Sequence, residues 1–473
     1  MNVSRDESGG AWDMEVDVVI VGAGDAGLAA AIEAAGAGAD TVVFERLATL
    51  KGSSSTMSGG VFAFAGTDLQ QRQGIQDSDD LFYKDLMDVG KWKNDQKLVQ
   101  TFIKNQLDTY YWLTEIGVEW DNSVRAYSGM SVPRCHATGP DEHVEILKEA
   151  AENKGVRVIF KTRVIGLLTD EEKRVIGVRA ESGKESQRVK ARRGVVLATG
   201  GFGWDSKRLE AIAPRLLKVN RNMGPGHTGD GHNMAEELGA FFKDMEYIKP
   251  SFGIHVTGKS VEKISIMYFR GAIIVNKKGE RFVNEAISYK DIGVATLAQP
   301  NAIGIEIFDQ KLYEAAIEAS KKVLSKKVPL GGLSETTAKL LVKANTIEEL
   351  ASKIGVPPEA LKKTIDQYNS YVDGGKDLDF GRTTLTWGVG KIIGIDASPF
   401  YAYESKPFLS STFGGIVVSE DMHVLTKEGK IPGLYGAGEI IGGVHGAAYH
   451  TGSALSKAVV FGRITGRNVA HER

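Results

Sequence analysis

The chain has 473 residues, 42% of them hydrophobic and 25% charged, enough to bury a sizeable core and to divide into two domains. Its 58 basic and 60 acidic side chains leave a formal net charge of −2 and a pI near 6.5, which gives no electrostatic case for nucleic acid or an anionic membrane as partner. No run of about 18 apolar residues occurs, so no membrane span is expected, and the single cysteine, Cys135, excludes an internal disulfide framework and CxxCH haem attachment.

Residues 1–13 are polar and acidic, with neither a basic n-region nor an apolar h-region. They read as a disordered leader and not as a signal peptide, so cytoplasmic residence is the default expectation. The run Asp17-Val-Val-Ile-Val-Gly-Ala-Gly-Asp-Ala-Gly27 then gives a buried strand, a glycine turn and the start of a helix at 28–35. Gly22 permits the tight turn, Gly24 lets backbone approach a pyrophosphate, and Gly27 allows the helix to pack closely with its N-terminal amides aimed at the phosphates. Val42-Val-Phe-Glu45 supplies a second strand ending in a carboxylate for ribose hydroxyls. Strand, glycines, helix, second strand and terminal acid in that order specify a dinucleotide site.

Further along, 155–169 reads as paired strands, with a charged turn at 170–174 before Val175-Ile-Gly-Val-Arg179. The stretch 193–202 is a buried strand ending in small residues, at the sheet edge where ligands bind in open α/β folds. From 249 to 405 the texture changes to helices, as at 346–354 and 358–372, alternating with short strands. We read 14–248 and 406–473 as two parts of one nucleotide-binding domain and 249–405 as an inserted α+β domain. The return includes Pro432-Gly-Leu-Tyr-Gly-Ala-Gly-Glu439 and a helix at 452–470.

Gly22, Gly24, Gly27 and Glu45, with Ser58-Gly59-Gly60, Ala198-Thr199-Gly200-Gly201-Phe202, Thr228-Gly229-Asp230-Gly231, Arg281-Phe-Val-Asn-Glu285 and the 432–439 stretch, resemble the fumarate reductase/succinate dehydrogenase flavoprotein family over nearly the whole chain. The resemblance implies an α/β fold. Its FAD-binding Rossmann domain would have glutathione-reductase-like topology, and a mobile substrate (cap) domain would close over the active site. It also implies hydride transfer between flavin N5 and a carbon beside an activating carbonyl. The expected cofactor contacts are Gly22, Gly24, Asp25, Ala26, Gly27, Glu45, Arg46, Ser53, Ser58, Gly59, Gly60, His136, Val164, Ala198, Thr199, Gly200, Gly201, Asp230, Gly438, Glu439, His445, Ser453 and Leu455. Amides of 442–446 and the dipole of the helix near Gly452 would favour anionic reduced flavin. Attachment is expected to be noncovalent, since no histidine lies between 51 and 60, where covalently flavinylated relatives carry one. No metal is expected. A second complete nucleotide fingerprint is missing, so electrons come from, or pass to, an external partner.

Departures from the family pattern bear on the substrate. Ser411 stands where fumarate-reducing members carry a histidine before Thr412, Tyr449 where they carry an arginine, and Lys249 where they carry a histidine before Pro250. Much of the dicarboxylate clamp is gone. The resemblance makes Arg281 and Arg270 parts of a proton relay, yet Met267 replaces its glutamate, and a guanidinium acts as an acid only when a neighbour reprotonates it. Arg281 alternatively anchors Glu285 by an ion pair. Asn284-Glu-Ala-Ile-Ser-Tyr289 resembles the corresponding stretch of 3-ketosteroid dehydrogenases.

The expectation is therefore an enone- or ketosteroid-like dehydrogenase or ene-reductase. Tyr449, Arg281, Arg270, Tyr268 and His450 are the catalytic candidates, and Gly452, Ser411, Thr412 and Lys249 the substrate contacts. A carboxylate-specific ene-reductase, acting on fumarate, urocanate or an aryl acrylate, is the alternative. A noncatalytic FAD electron-transfer subunit is the third reading.

Overall fold

The structure is a computed structural model and describes residues 11–258, 263–321, 333–386 and 388–472. Most of the expected leader, 1–10, lies outside the described residues, but its last residues are not loose. Asp13 donates its amide to the Arg188 carbonyl (3.0 Å) and accepts the Arg188 amide on its carboxylate (2.7 Å), while the Arg188 guanidinium lies 4.7 Å over the Trp12 ring.

An eight-stranded sheet forms the larger layer. Its centre is five parallel strands in the order Lys430–Gly436, Glu185–Leu197, Met14–Val21, Thr41–Phe44 and Arg157–Ile159. Val18, Val19, Ile20, Val42, Val43, Val195 and Val196 have no exposed surface, as expected for strands covered on both faces. Arg163–Thr169 and Val175–Ser182 form the hairpin read from the sequence around its charged turn. Over one face lie the helices Asp25–Gly36 and Ser453–Val469, packed so tightly that a Cβ on Gly462 or Gly466 would sit 2.3 Å from the Ala26 carbonyl oxygen or 2.2 Å from that of Ala30.

The second sheet has six strands, with Phe400–Leu409 at its centre between Ser251–His255 and Gly304–Asp309. Ile273–Val275 and Val342–Ala344 extend it, and Ile347–Ile354 and Pro358–Asp373 bury Leu350, Leu361, Ile365 and Tyr368 against it. Thr346 caps the first of these helices through the Glu349 amide (3.1 Å). Asn220–Arg221 pairs in parallel with Phe408 and Leu409, so this sheet recruits residues on both sides of 249–405. No described helix is long and apolar enough to cross a membrane.

Candidate active site

The first parallel strand delivers Gly22 to the sheet's carboxyl edge at φ +108°, where a Cβ would lie 2.4 Å from the Ala198 carbonyl oxygen. A Cβ on Gly27 would lie 1.9 Å from the Gly22 carbonyl oxygen. Gly24 precedes the helix without a side-chain cap, leaving first-turn amides for a ligand. Glu45 is fixed by the amides of Ala23 (2.9 Å) and Leu47 (2.8 Å), one on each oxygen.

Gly22, Gly24, Glu45 and Leu47 line one end of a large cavity. Asp25, Ala26, Arg46, Ser53, Ser58, Gly59, Val164, Ala198, Thr199, Gly200 and Asp230 also line it. Burial works to raise the Asp230 pKa, but Arg163 (2.7 and 2.8 Å) and Arg46 (3.3 Å) hold it below the usual carboxylate range. Further in come Gly438, Glu439, His445, Leu455 and Lys457. Lys457 is buried, donates to the Ile441 carbonyl (3.1 Å), and is pushed down to about 8 by desolvation. His227 meets Ser54 through Nε2. Thr199 Oγ1, His227 Nδ1 and both ring nitrogens of His445 are buried without a hydrogen-bond partner. Uncapped amides, a glycine turn closed to any Cβ, and orphaned polar atoms are what a bound dinucleotide would satisfy.

The far end is aromatic. Tyr127, Phe252, Tyr268, Phe269, Tyr289, Phe408, Phe413 and Tyr449 line it with Ile264 and Ile266. Its polar groups are Ser251, Ser410, Ser411 and the phenols. Phe413 stacks on Tyr449 with ring centroids 4.7 Å apart, and the Tyr289 ring meets Tyr449 edge-on at 5.8 Å. The Gly452 amide, at the start of the helix Ser453–Val469, donates to the Tyr449 hydroxyl (3.1 Å). With its oxygen accepting from that amide, Tyr449 keeps its own hydrogen to donate. Burial pushes both phenols above their ordinary pKa, Tyr289 furthest, so both are neutral proton donors. The Tyr268 hydroxyl is buried without a partner.

Several expected site residues lie elsewhere. Arg281 is held by Glu285 (2.9 and 2.7 Å) and Asp377 (3.2 and 2.9 Å) away from the cavity, and these carboxylates, overcoming desolvation, raise its pKa. Arg270 does not line the cavity, but it is largely buried beside Tyr127, and its Nε has no partner. His450 turns to Phe82 (5.3 Å) with both nitrogens unpartnered, and burial drives its pKa well below normal.

Lys249 pairs with Asp291, and Thr412 gives its amide (2.8 Å) and hydroxyl to Glu439. His136 is enclosed by Tyr110, Trp120 and Phe64, with Thr67 (2.8 Å) and the Arg134 carbonyl (2.9 Å) on its nitrogens, so it supports the core and not the crevice. Asp25 gives its amide to Ser55 Oγ (3.1 Å) and holds His143 on one carboxylate oxygen (3.0 Å), with the other, Oδ2, buried without a partner. Gly27, Gly60, Gly201 and Ser453 sit behind the lining. Gly27 and Gly60 are closed by neighbouring backbone, Gly201 by the Thr412 and Glu439 side chains, and Ser453 makes a 2.6 Å bond to the His450 carbonyl.

Tyr289, Lys290, Lys457 and His227 were missed as site residues. Tyr289 ended a quoted motif and could have been found from it. The others follow no spacing, because their partners lie 16 to 173 residues away. No group of three His, Cys, Asp or Glu is placed to hold a metal ion among the described residues.

The family described as FAD binding domain matches residues 17–455. The chain is 34% identical over 461 residues to the fumarate reductase (cytochrome) of Shewanella frigidimarina, covering 96% of this chain and 77% of the relative. It is 31% identical over 496 residues to the acrylate reductase flavoprotein subunit of Shewanella woodyi, covering 98% and 93%. Among solved structures, the 3-ketosteroid-Δ4-(5α)-dehydrogenase from Rhodococcus jostii RHA1, in complex with 4-androstene-3,17-dione, superposes with a TM-score of 0.79 at 29% identity, covering 100% of both chains.

Proposed function

The chain belongs to the FAD-binding-domain family of fumarate reductase/succinate dehydrogenase flavoproteins, on its 3-ketosteroid dehydrogenase-like side, and from that premise we propose that it interconverts CH–CH and C=C next to a carbonyl in a mainly apolar ketone or enone. The eight-stranded sheet would form a glutathione-reductase-like FAD domain and the second sheet the core of a cap. The boundaries would be 14–248, 249–405 and 406–473, with Asn220–Arg221 siding with the cap. FAD would be held noncovalently by the glycine turn, Glu45, Thr199 and Gly200, with His445, Leu455 and Lys457 further along. When bound, it supplies the two-electron chemistry at N5.

The chain's own part is oxygen polarisation and proton placement. The observation that carries the reading is the Tyr449 hydroxyl, backed by the Gly452 amide and with the Tyr289 ring edge-on beside it, in an aromatic cavity whose relay arginine is tied off. Tyr449 donates to the carbonyl oxygen and stabilises enolate charge. Tyr289 is the donor to the neighbouring carbon. Neutral phenols fit the reducing direction.

The alternative reading is a carboxylate-specific ene-reductase. It is favoured by Arg270, buried with no carboxylate near, and by the fumarate- and acrylate-reducing relatives. The test photoreduces the flavin anaerobically, then mixes it with fumarate, an aryl acrylate and a cyclic or steroidal enone. The enone is expected to reoxidise it fastest. Preference for a carboxylate that disappears in Arg270→Met would overturn the ketone reading.

A further inference from the structure

Asp25 is the first residue of the helix Asp25–Gly36 and lines the cavity at the turn offered to a dinucleotide phosphate. An ionised carboxylate at that place repels the phosphate that the helix amides attract. The Asp25 side chain turns to His143, on the helix Pro140–Glu152, with Oδ1 3.0 Å from Nε2 and neither side chain exposed. Its other oxygen, Oδ2, is buried with no partner among the described residues.

Counting protons shows on what condition the carboxylate is tolerated. His143 Nδ1 lies 2.9 Å from the Gly139 carbonyl, which only accepts, so Nδ1 carries a hydrogen. The contact between Nε2 and Oδ1 then needs one more proton, on the imidazole or on the carboxyl. With that proton the pair is neutral overall in either form. Without it, two lone pairs face each other at 3.0 Å and a negative charge stands in the first turn of the helix. Burial works against an imidazolium, but Asp25 outweighs it and raises the His143 pKa above the ordinary 6.5, with the Gly139 carbonyl and Glu142 acting the same way. Ser55 and the Phe62 ring, which face the pair from neighbouring elements, carry no charge. The proton is therefore held at neutral pH and lost on the alkaline side.

We infer that Asp25 and His143 act as a one-proton lock on the dinucleotide turn: FAD is held while they share a proton and loosened when it is lost. The inference rests on the noncovalent-FAD reading and adds to it a control by pH. His143 is a positioning residue, reaching the cofactor only through the charge it leaves on Asp25. Linkage is reciprocal, so bound FAD strengthens the pair's hold on its proton.

The test dilutes the FAD-loaded protein at a series of pH values from about 5.5 to 9 and reads the released flavin by its fluorescence, which gives Kd at each pH. For the wild type, Kd is expected to rise about 10-fold or more from the acid to the alkaline end. Asp25→Asn cannot acquire the charge, so its Kd should stay within about threefold over the range and lie below the wild-type value at the alkaline end. His143→Gln strands the carboxylate, so its Kd at neutral pH should already match the alkaline wild-type value. Combining the two substitutions should restore tight binding, which separates a stranded charge from a damaged fold. Parallel pH profiles for the wild type and Asp25→Asn, or a His143→Gln protein that holds FAD as tightly as the wild type, overturn the lock alone. Flavin that stays attached after denaturation would sink the noncovalent reading and the lock with it.

Discussion

The two ends of the cavity recognise by different means. At the glycine end the ligand meets mainly backbone, because Gly22 and Gly27 leave no room for a Cβ and two amides hold Glu45 in place. At the aromatic end it meets side chains drawn from 127, 251–289 and 408–452. Backbone recognition is fixed and tolerates no substitution, while side-chain recognition can be retuned residue by residue. A shared cofactor with divergent substrates calls for that division.

The sharpest way to break the contrast is at the glycine end. Gly27→Ala forces its Cβ against the Gly22 carbonyl, so FAD affinity should fall roughly 10- to 100-fold, read as flavin retained per protein with the circular dichroism unchanged. Full retention would show that the turn yields. At the other end Tyr449→Phe should slow enone-driven flavin reoxidation by about 10²–10³-fold while leaving ligand Kd within about tenfold, the signature of a group acting on the transition state.

Arg281→Met asks whether that residue belongs to the site at all. Its removal leaves Asp377 without a cation among the described residues and Glu285 with only the Arg382 guanidinium at 3.4 Å, so a stability loss of about 3–5 kcal/mol is expected in denaturant melts, with turnover of the folded protein intact. A stable but inactive variant would return Arg281 to the proton pathway.

The gentlest probe is Glu306, fully buried, accepting from Ser265 Oγ and the Met267 amide (both 2.8 Å) with Oε1 unpartnered. Desolvation raises it from 4.5 to about 8. Between those values the folded protein keeps a proton that the unfolded chain has lost, so stability falls as pH rises through that window. Thermal melts should show this decline in the wild type and its absence in Glu306→Gln. Parallel pH profiles for the two proteins would assign the decline to another group.

What was legible in the sequence follows the same line. The glycine turn, its strand and helix, and the helix at Ser453–Val469 are local, since each residue's reason lies within a few positions. The helices near 346 and 358 announced themselves by Thr346 as a cap and Pro358 at a first turn. The distant pairings were not legible, because Arg281 finds Asp377 at a distance of 96 residues and Lys290 finds Ser411 at 121. His136 and His450 illustrate the hazard. Histidines beside glycine-rich motifs invite a functional role, yet one is satisfied in an aromatic core and the other is turned against Phe82. The Gly452 amide, expected to contact substrate, is given to the Tyr449 hydroxyl.

The contact of Gly462 and Gly466 with Ala26 and Ala30 has a consequence for how the molecule is made. Ribosomes release the chain from its amino end, so residues 25–36 emerge long before the helix that covers them. Until residue 469 is synthesised, an alanine-rich face stays open to solvent and to other nascent chains, and the long sequence separation makes its closure slow. Biogenesis would therefore depend on chaperones during translation, and flavin could be captured only as a late, post-translational event.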